Sequence, residues 1–436
     1  MSEGAIWNTE RETMPRREIE QLQLERLQAT MNRAYRNVRH YRRMFEAHDL
    51  VPEDIASLAD LRKLPFTTKQ DMRDAYPYGM FALPLREVVR IHSSSGTTGL
   101  STVVGYTRND LEDWTELVAR NLVAGGVAKD DVVQIFFGYG LFSGGFGLHQ
   151  GAERIGASVL PVSSADIESQ VKVMQDFRTT ALVGIPSYAL QIAQAMDEVG
   201  VAPGSLCLRV GVFGGEPWSQ KTRQEIEERL RIRATDIYGL AEVGGPGVSG
   251  ECEFRCGLHV AEDHFIVEVI DPETGEVLPP GAEGELVFTT VHKEAMPVLR
   301  YRTGDISSID PEPCACGRTF ARMANVRRRT DDMVIIHGRN IFPEDIAAVI
   351  DQAPGLGPSF RMIVDRRGAE DTLRVEVELS SILSEDTIRA IERLDRDLEE
   401  RLLRVFGFEI GVHITEPRSL SANGEKRAVV IDNRKI

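Results

Sequence analysis

Ser93-Ser94-Ser95-Gly96-Thr97-Thr98-Gly99 sets seven small or hydroxyl-bearing residues in a row, directly after the alternating run Glu87–Ile91. Small residues let backbone N–H groups converge and hydroxyls add donors, so such a stretch can share the charge of a polyphosphate among several partners. A flexible Ser/Gly linker has the same composition, and composition alone leaves the two readings level. The cysteines are the second group with chemistry to offer. Of five, four lie in close pairs, Cys252/Cys256 and Cys314/Cys316. In a chain without export features such pairs suggest metal before disulfide. Cys252, His259, Cys314 and Cys316 would make a tetrahedral, structural Cys₃His zinc site, with Cys256 the rival fourth ligand and unliganded thiols the plain alternative. Cys314-Ala315-Cys316 has a single intervening residue, tighter than the usual CxxC, which weakens the spacing argument.

The elements that must position these residues follow from length and pattern. A chain of 436 residues exceeds one ordinary core, so two or three domains are expected. Hydrophobic content of 42% with 27% charged residues is that of a soluble globular protein. No run approaches the roughly 18 apolar residues of a membrane span. Glu3, Glu10 and Glu12 among the N-terminal arginines argue against a targeting peptide, so the cytoplasm is the expected location. A formal net charge of −16 disfavours nonspecific nucleic-acid binding.

Residues 16 to 48 read as one long amphipathic helix or two shorter ones, whose apolar face could support a homodimer or pack within one chain. From Val132 to Tyr238, strands recur roughly every 25 residues with helix-length segments between them, the mark of a largely parallel α/β sheet. Around residue 259 the pattern turns to hairpins: His264–Ile270, the turn Asp271–Gly275 and Glu285–Thr289. Beyond the cluster Arg327–Asp332, a helix over Pro343–Gln352 and strands at Phe360–Val364 and Leu373–Leu379 begin an α+β unit. A helix from Ser384 to about Val405 and the segment Val412–Ile414 complete it. The fold class expected is α/β. A large N-terminal domain over 1–330 has mostly parallel sheets and a β subdomain at about 251–325. A small mobile α+β domain covers 331–436.

The order of the motifs carries a resemblance. Ser94–Gly99, Tyr139-Gly140-Leu141-Phe142, Gly214-Gly215-Glu216-Pro217, Asp236-Ile237-Tyr238-Gly239-Leu240-Ala241-Glu242, Tyr301-Arg302-Thr303-Gly304-Asp305, Arg329-Thr330-Asp331-Asp332-Met333 and the tail with Lys426 run in sequence over nearly the whole chain. Together they resemble the adenylate-forming enzymes (acyl-CoA synthetases, peptide-synthetase adenylation domains, luciferases). Within these the chain looks like the short phenylacetate–coenzyme A ligase group. Members of that group carry a Cys and a His before the hairpins and Cys-x-Cys-Gly after them, as here.

The resemblance implies an ATP-dependent acid–thiol ligase. An aromatic acid, aryl or arylacetic, would become an acyl-adenylate and then a coenzyme A thioester, releasing pyrophosphate and AMP. Such chemistry is mostly positioning and charge neutralisation. Ser93, Ser94, Ser95, Gly96, Thr97 and Thr98 would hold the β- and γ-phosphates. Glu242 would hold Mg²⁺, Asp305 the ribose hydroxyls, and Arg329 the ribose or phosphate side. Gly214, Gly215, Glu216 and Pro217, with Asp236, Ile237, Tyr238 and Gly239, would meet around adenine beyond the carboxyl ends of the strands. Tyr139, Gly140, Phe142, Gly144 and Gly145, with Ile237, would form a flat acid slot. Lys426 would bridge carboxylate and α-phosphate, Lys435 being the lesser candidate. Asp331 would be the hinge that delivers and withdraws Lys426, and His337, Gly338, Arg339 and Asn340 would line the pantetheine tunnel.

Two positions depart from the family. Leu100-Ser101 stands where relatives usually carry Lys-Pro, and Arg328-Arg329 where they carry Gly-Arg. Transfer to a carrier-protein thiol, an amine or another nucleophile is the first alternative, and a catalytically silent nucleotide-binding protein the second.

Overall fold

A computed structural model describes residues 5–93, 102–141, 143–163, 167–326, 328–330, 334–336, 339–367, 370–381, 387–417, 419–420 and 428–433. Ser94, Ser95, Gly96, Thr97, Thr98, Leu100, Phe142, Asp331, His337, Gly338, Lys426 and Lys435 lie outside the described residues. The chain divides into two compact units, Met1–Val326 and Arg327–Ile436.

In the larger unit the N-terminal segment forms two helices, Arg16–Asn37 and Arg39–Ala47. They part at Val38, whose backbone is extended (φ −107°, ψ 113°). Ile19, Leu27, Met31 and Ala34 recur at helical spacing and are fully buried. The polar residues of that face are satisfied by backbone carbonyls far along the chain. Gln23 Nε2 donates to Glu262 O (2.9 Å) and Phe265 O (3.0 Å), and Thr30 Oγ1 to Val291 O (3.0 Å). Tyr41 Oη accepts from the Leu299 backbone N–H at 3.0 Å. The apolar face therefore packs within its own unit.

The central sheet has nine strands among the described residues, in the order Ile309–Asp310, Arg322–Met323, Leu258–Val260, Gly245–Glu251, Arg233–Leu240, Val210–Gly214, Ala181–Gly184, Val132–Ile135, Ser158–Leu160. From Arg233–Leu240 to Ser158–Leu160 the pairings are parallel. Helices Gly144–Ile155, Ile167–Asp176, Pro186–Glu198 and Gln220–Leu230 make the crossovers. Ala181–Gly184 and Val210–Gly214 are buried at every position, as strands covered on both faces must be. The direction reverses at residues 241–244, a turn too short for a crossover, so Gly245–Glu251 runs antiparallel to its predecessor.

Part of the region expected as a β subdomain thus extends the main sheet, through Leu258–Val260, Arg322–Met323 and Ile309–Asp310. The remainder, Phe265–Ile270, Gly284–Thr290 and Tyr301–Ser307, pairs antiparallel as a second layer. A hairpin of Arg90–Ser93 with Val103–Tyr106 brackets the Ser/Gly/Thr stretch and pairs Ser93 with Val103.

The smaller unit is α+β. Its sheet runs Gly411–Thr415, Glu370–Leu379, Leu356–Arg367, Ala428–Asp432, with helices Pro343–Ile350 and Thr387–Phe406. Phe360, Met362, Val375 and Val377 on the strands and Leu398 and Leu402 on the long helix form its core. Among the described residues no helix is long and apolar enough to cross a membrane.

Candidate active site

The motif residues collect where Val210–Gly214 and Arg233–Leu240 end. These strands pair in register to Gly214↔Ile237, so the two segments that follow them emerge side by side. A Cβ at Gly214 would meet the Ile237 carbonyl oxygen at 2.0 Å, so glycine is required for this approach. Tyr238 lies within the last paired residues of Arg233–Leu240, opposite Ser249, and its hydroxyl donates to Asp305 Oδ2 at 2.6 Å. Its ring stacks on Phe288, centroids 6.1 Å apart at 27°. Asp305 is buried at 3% exposure, and its backbone N–H is held by Thr303 Oγ1 at 2.9 Å. One hydrogen bond thus joins two motif segments from different sheets.

Asp236 lies at the same end. Its carboxylate accepts from Asn325 Nδ2 (2.8 Å), and its backbone N–H donates to Glu251 Oε2 (2.8 Å). Arg223 grips Glu251 with two nitrogens, at 2.7 and 3.0 Å. Burial first, and the Glu251 carboxylate second, push Asp236 up to about 7. Glu216 turns to the neighbouring helix, where it accepts from the Ser187 backbone N–H at 2.7 Å at the start of Pro186–Glu198. Ile237 is buried in the main core.

Glu242 sits in the reversing turn, 7% exposed. Lys293, which no spacing argument singled out, shares its surroundings. Its ammonium lies 4.5 Å from the centre of the Tyr106 ring. Burial brings Lys293 down to about 8 against the opposing pull of Asp110 and Glu242.

Around Tyr139 the turn is polar at one end and aromatic at the other. Its hydroxyl meets His149 Nδ1 at 3.1 Å, and its ring packs edge-on against Phe146 at 5.4 Å. Burial pushes Tyr139 up to about 12. Gly140 is exposed, whereas Gly144 and Gly145 are buried at the start of Gly144–Ile155; a Cβ on Gly145 would meet the Gly138 carbonyl at 2.7 Å. The Leu141 carbonyl accepts from the Ser93 backbone N–H at 2.8 Å and meets His92 Nδ1 at 3.0 Å. The root of the Ser/Gly/Thr stretch is thereby tied to the Tyr139 turn. Arg329 and Arg339 belong to the smaller unit.

The second cluster is buried away from that sheet end. Cys252, His259, Cys314 and Cys316 offer ligand atoms that all lie within 4.8 Å of one another. Cys252 Sγ is 3.8 Å from Cys314 Sγ, and Cys316 Sγ is 3.5 Å from His259 Nε2. Cys256 is exposed, and its thiol bonds the Phe254 carbonyl at 3.2 Å, outside the cluster. Its neighbours push Cys316 down, Cys252 first, and His259 does the same to Cys314. Cys316 and burial push Cys252 the opposite way, and three thiols this close to an imidazole suit a thiophilic cation.

Asn325, Arg223, Glu251, Phe288, His149 and Lys293 complete these arrangements and carried no signal in the sequence. Each reaches its partner through tertiary packing, with nothing local in its neighbours' spacing to mark it.

Comparison with known proteins gives a consistent result. Residues 83–292 match the AMP-binding enzyme family model, and residues 338–434 the AMP-binding enzyme C-terminal domain. The phenylacetate-coenzyme A ligase of Aromatoleum evansii is 48% identical over 402 residues, 92% of this chain and 91% of that one. The phenylacetate-coenzyme A ligase of Thermus thermophilus is 44% identical over 99% of this chain and 100% of its own length. Among solved structures, 2-hydroxyisobutyryl-CoA ligase in the postadenylation state with 2-HIB-AMP superposes with a TM-score of 0.88 at 28% identity, covering 100% of this chain and 94% of that one. The same ligase with 2-HIB-AMP and CoA in its thioesterification state gives a TM-score of 0.72 at 28% identity, over 98% and 93%.

Proposed function

We propose, from the premise that this chain belongs to the AMP-binding enzymes and to their phenylacetate–coenzyme A ligase-like group, that the acid it activates is an aryl or arylacetic carboxylate. The chain is an AMP-forming ligase that activates a carboxylic acid with ATP and passes the acyl group to coenzyme A. The observation that carries the site assignment is the Tyr238–Asp305 hydrogen bond. It supports the reading that the expected adenine-side and ribose-side motifs meet toward the carboxyl ends of the parallel strands, where ligands of open α/β sheets bind.

In the first half-reaction a carboxylate oxygen attacks the α-phosphorus, a P–O bond forms, and the bond to pyrophosphate breaks. Tyr238 stacks on the base with Asp236 at its edge, and Asp305 accepts from the ribose hydroxyls. Gly214, Gly215, Glu216, Pro217, Ile237 and Gly239 shape the nucleotide wall, and Ser93–Thr98 hold the phosphates. The Leu141 carbonyl's grip on Ser93 supports that last role, because it anchors the stretch beside the acid slot. Tyr139, Gly140, Phe142, Gly144, Gly145 and Ile237 form the slot itself. Its aromatic wall and the buried glycines support a flat ring.

Glu242 is the residue that holds Mg²⁺; its buried carboxylate has the hard oxygen chemistry the ion requires. The bound ion would neutralise charge on the phosphate oxygens. Lys426 stabilises the charge on the transferring group, with Arg329 on the phosphate side. In the second half-reaction the thiol sulfur attacks the acyl carbonyl, a C–S bond forms, AMP leaves with the C–O bond, and the thiol proton passes to solvent. Movement about Asp331 withdraws Lys426, and His337, Gly338 and Arg339 line the thiol's path. Cys252, His259, Cys314 and Cys316 hold a structural zinc ion, a role supported by their mutual approach within 4.8 Å.

ATP–pyrophosphate exchange across a panel of aryl, arylacetic and aliphatic acids tests the acid class, and product mass with and without coenzyme A tests the acceptor. Exchange with aliphatic acids alone would sink the aromatic assignment. A product that forms only with an amine or a carrier protein would sink coenzyme A as acceptor.

A further inference from the structure

A third cluster lies beside Lys293, the residue that follows His292 in the chain. Helix Arg108–Ala124 carries Asp113 toward two histidines that belong to the second-layer sheet. His264 immediately precedes the strand Phe265–Ile270, and His292 follows Gly284–Thr290. Phe265 pairs with Thr290, and the Val291 N–H donates to the His264 carbonyl at 2.9 Å, so strand register fixes both histidines at the same sheet end. One turn earlier on the helix, Asp110 accepts from the backbone N–H groups of Glu294 (2.6 Å) and Ala295 (3.0 Å). The segment carrying His292 is thereby pinned to the helix that carries Asp113.

One pair of the set is closed to a hydrogen bond and the other stands wider than a bound ion would hold it. Asp113 Oδ2 lies 2.6 Å from His292 Nδ1, and Asp113 Oδ1 lies 3.8 Å from His264 Nε2. The two rings stand nearly perpendicular, 82° apart with centroids at 5.2 Å. One ligand atom from each residue falls within 4.8 Å of the others. Donors about 2.1 Å from a common cation sit roughly 3.0–3.4 Å apart, so small rotations complete the site.

Two further observations separate this cluster from a chance meeting of charges. His264 turns its other nitrogen, Nδ1, to 3.2 Å from Asp263 Oδ2. Asp263 is itself 1% exposed and clasped by Arg120 at 2.9 and 3.0 Å. The contact lacks hydrogen-bond geometry, but the buried carboxylate's charge favours the ring proton on Nδ1 and so leaves the outer nitrogen's lone pair for a metal. The three residues also line one cleft, walled besides by Tyr106, Trp114, Leu117, Pro246, Phe265 and Lys293 among others. That cleft leaves room for a further, exchangeable ligand.

We propose that Asp113, His264 and His292 form a further metal site, for a divalent transition cation of the zinc, cobalt or nickel class, with an open position toward the cleft. Two imidazoles and one carboxylate favour such borderline ions over Mg²⁺ or Ca²⁺, which prefer all-oxygen sets. The site staples the helix to the sheet end and takes no part in the transfer chemistry above.

The test uses the untagged full chain after its cysteine cluster has been loaded with zinc and the zinc content measured. Calorimetric titration with Ni²⁺ should show one further equivalent. Affinity for it should fall by at least the ~10–100-fold that outer-shell changes alone cost, both in His292→Ala and in Asp113→Asn. His292 is 41% exposed, so its alanine variant should fold, and metal-free unfolding checks that. With Co²⁺ as probe, the added equivalent should lack the thiolate charge-transfer band of a cysteine-bound ion. Failure of folded wild-type protein to take a further equivalent would overturn the proposal. So would a further equivalent bound equally well by both variants.

Discussion

Asp305→Asn isolates the charge at the proposed ribose contact without changing its shape. Asparagine keeps an acceptor for the Tyr238 hydroxyl, which lies 2.6 Å from Asp305 Oδ2, so the link between the two motif segments survives. A carboxylate has about four lone-pair sites. That number can accommodate the Tyr238 hydroxyl and the two ribose hydroxyls together. A hydrogen bond to a charged acceptor contributes about 1.5–3 kcal/mol and a neutral one about 0.5–1.5. Replacing charge by amide should therefore cost about 1–2 kcal/mol in transition-state binding, roughly five- to thirtyfold in kcat/KM for ATP. The assay is pyrophosphate exchange with ATP and with 2′-deoxy-ATP on both proteins. Wild-type enzyme should prefer ATP, and the variant's preference should shrink by a similar factor, with its denaturant midpoint nearly unmoved. If the variant discriminates between the two nucleotides as wild type does, Asp305 does not read the ribose and the assignment fails.

Lys426→Ala should lower pyrophosphate exchange by about 10²–10³-fold, the cost of losing one charge-stabilising donor, while thioester formation from supplied acyl-adenylate stays near wild type. Equal losses in both half-reactions would contradict a lysine used only in the first. Cys316→Ser should release the zinc measured in purified wild-type protein and destabilise the larger unit. A loss of about 2 kcal/mol corresponds to roughly 3 °C in the melting midpoint of a unit this large. Zinc content unchanged by this substitution would remove Cys316 from the ligand set.

Asp236 supplies a pH test. Its folded pKa of about 7 stands above its ordinary 3.8, so the stability gained by holding the proton is complete below pH 3.8 and is lost as pH rises through 7. Asp236→Asn should match wild type near pH 4 and be the more stable protein at pH 8, by about 1–4 kcal/mol after allowance for partial exposure. A stability difference independent of pH would refute the burial of this carboxylate beside Glu251.

Local pattern carried the alternation of strands and helices, because parallel strands covered on both faces read as apolar runs and their crossovers as helix-length gaps. It carried Tyr238 and Asp305 too, since each stands in a compact motif, although both lie within strands. The antiparallel extension through Gly245–Glu251 and Leu258–Val260 was not legible, because only the shortness of the turn at 241–244 reverses the chain, and hairpin signals do not reveal which sheet a strand joins. Nor could spacing decide between Cys256 and Cys252. Both precede His259 closely, and the difference is that one side chain points inward and the other to solvent. Asn325 and Lys293 act through burial and approach across tens to hundreds of residues, for which a sequence offers no local period.

The N-terminal helices have a consequence for how the chain is made. Tyr41 finds its hydrogen-bond partner 258 residues later, at Leu299, and Thr30 finds Val291 261 residues on. A ribosome adding about 5–20 residues per second needs roughly 13–52 s to reach Leu299 after Tyr41. During that interval Ile19, Leu27, Met31 and Ala34 have emerged without the surface that later covers them. Synthesis therefore passes through a window in which an apolar helix face waits for its own distant partner. Shielding of that face, by a chaperone or by transient self-association, becomes a condition on yield that the finished molecule no longer displays.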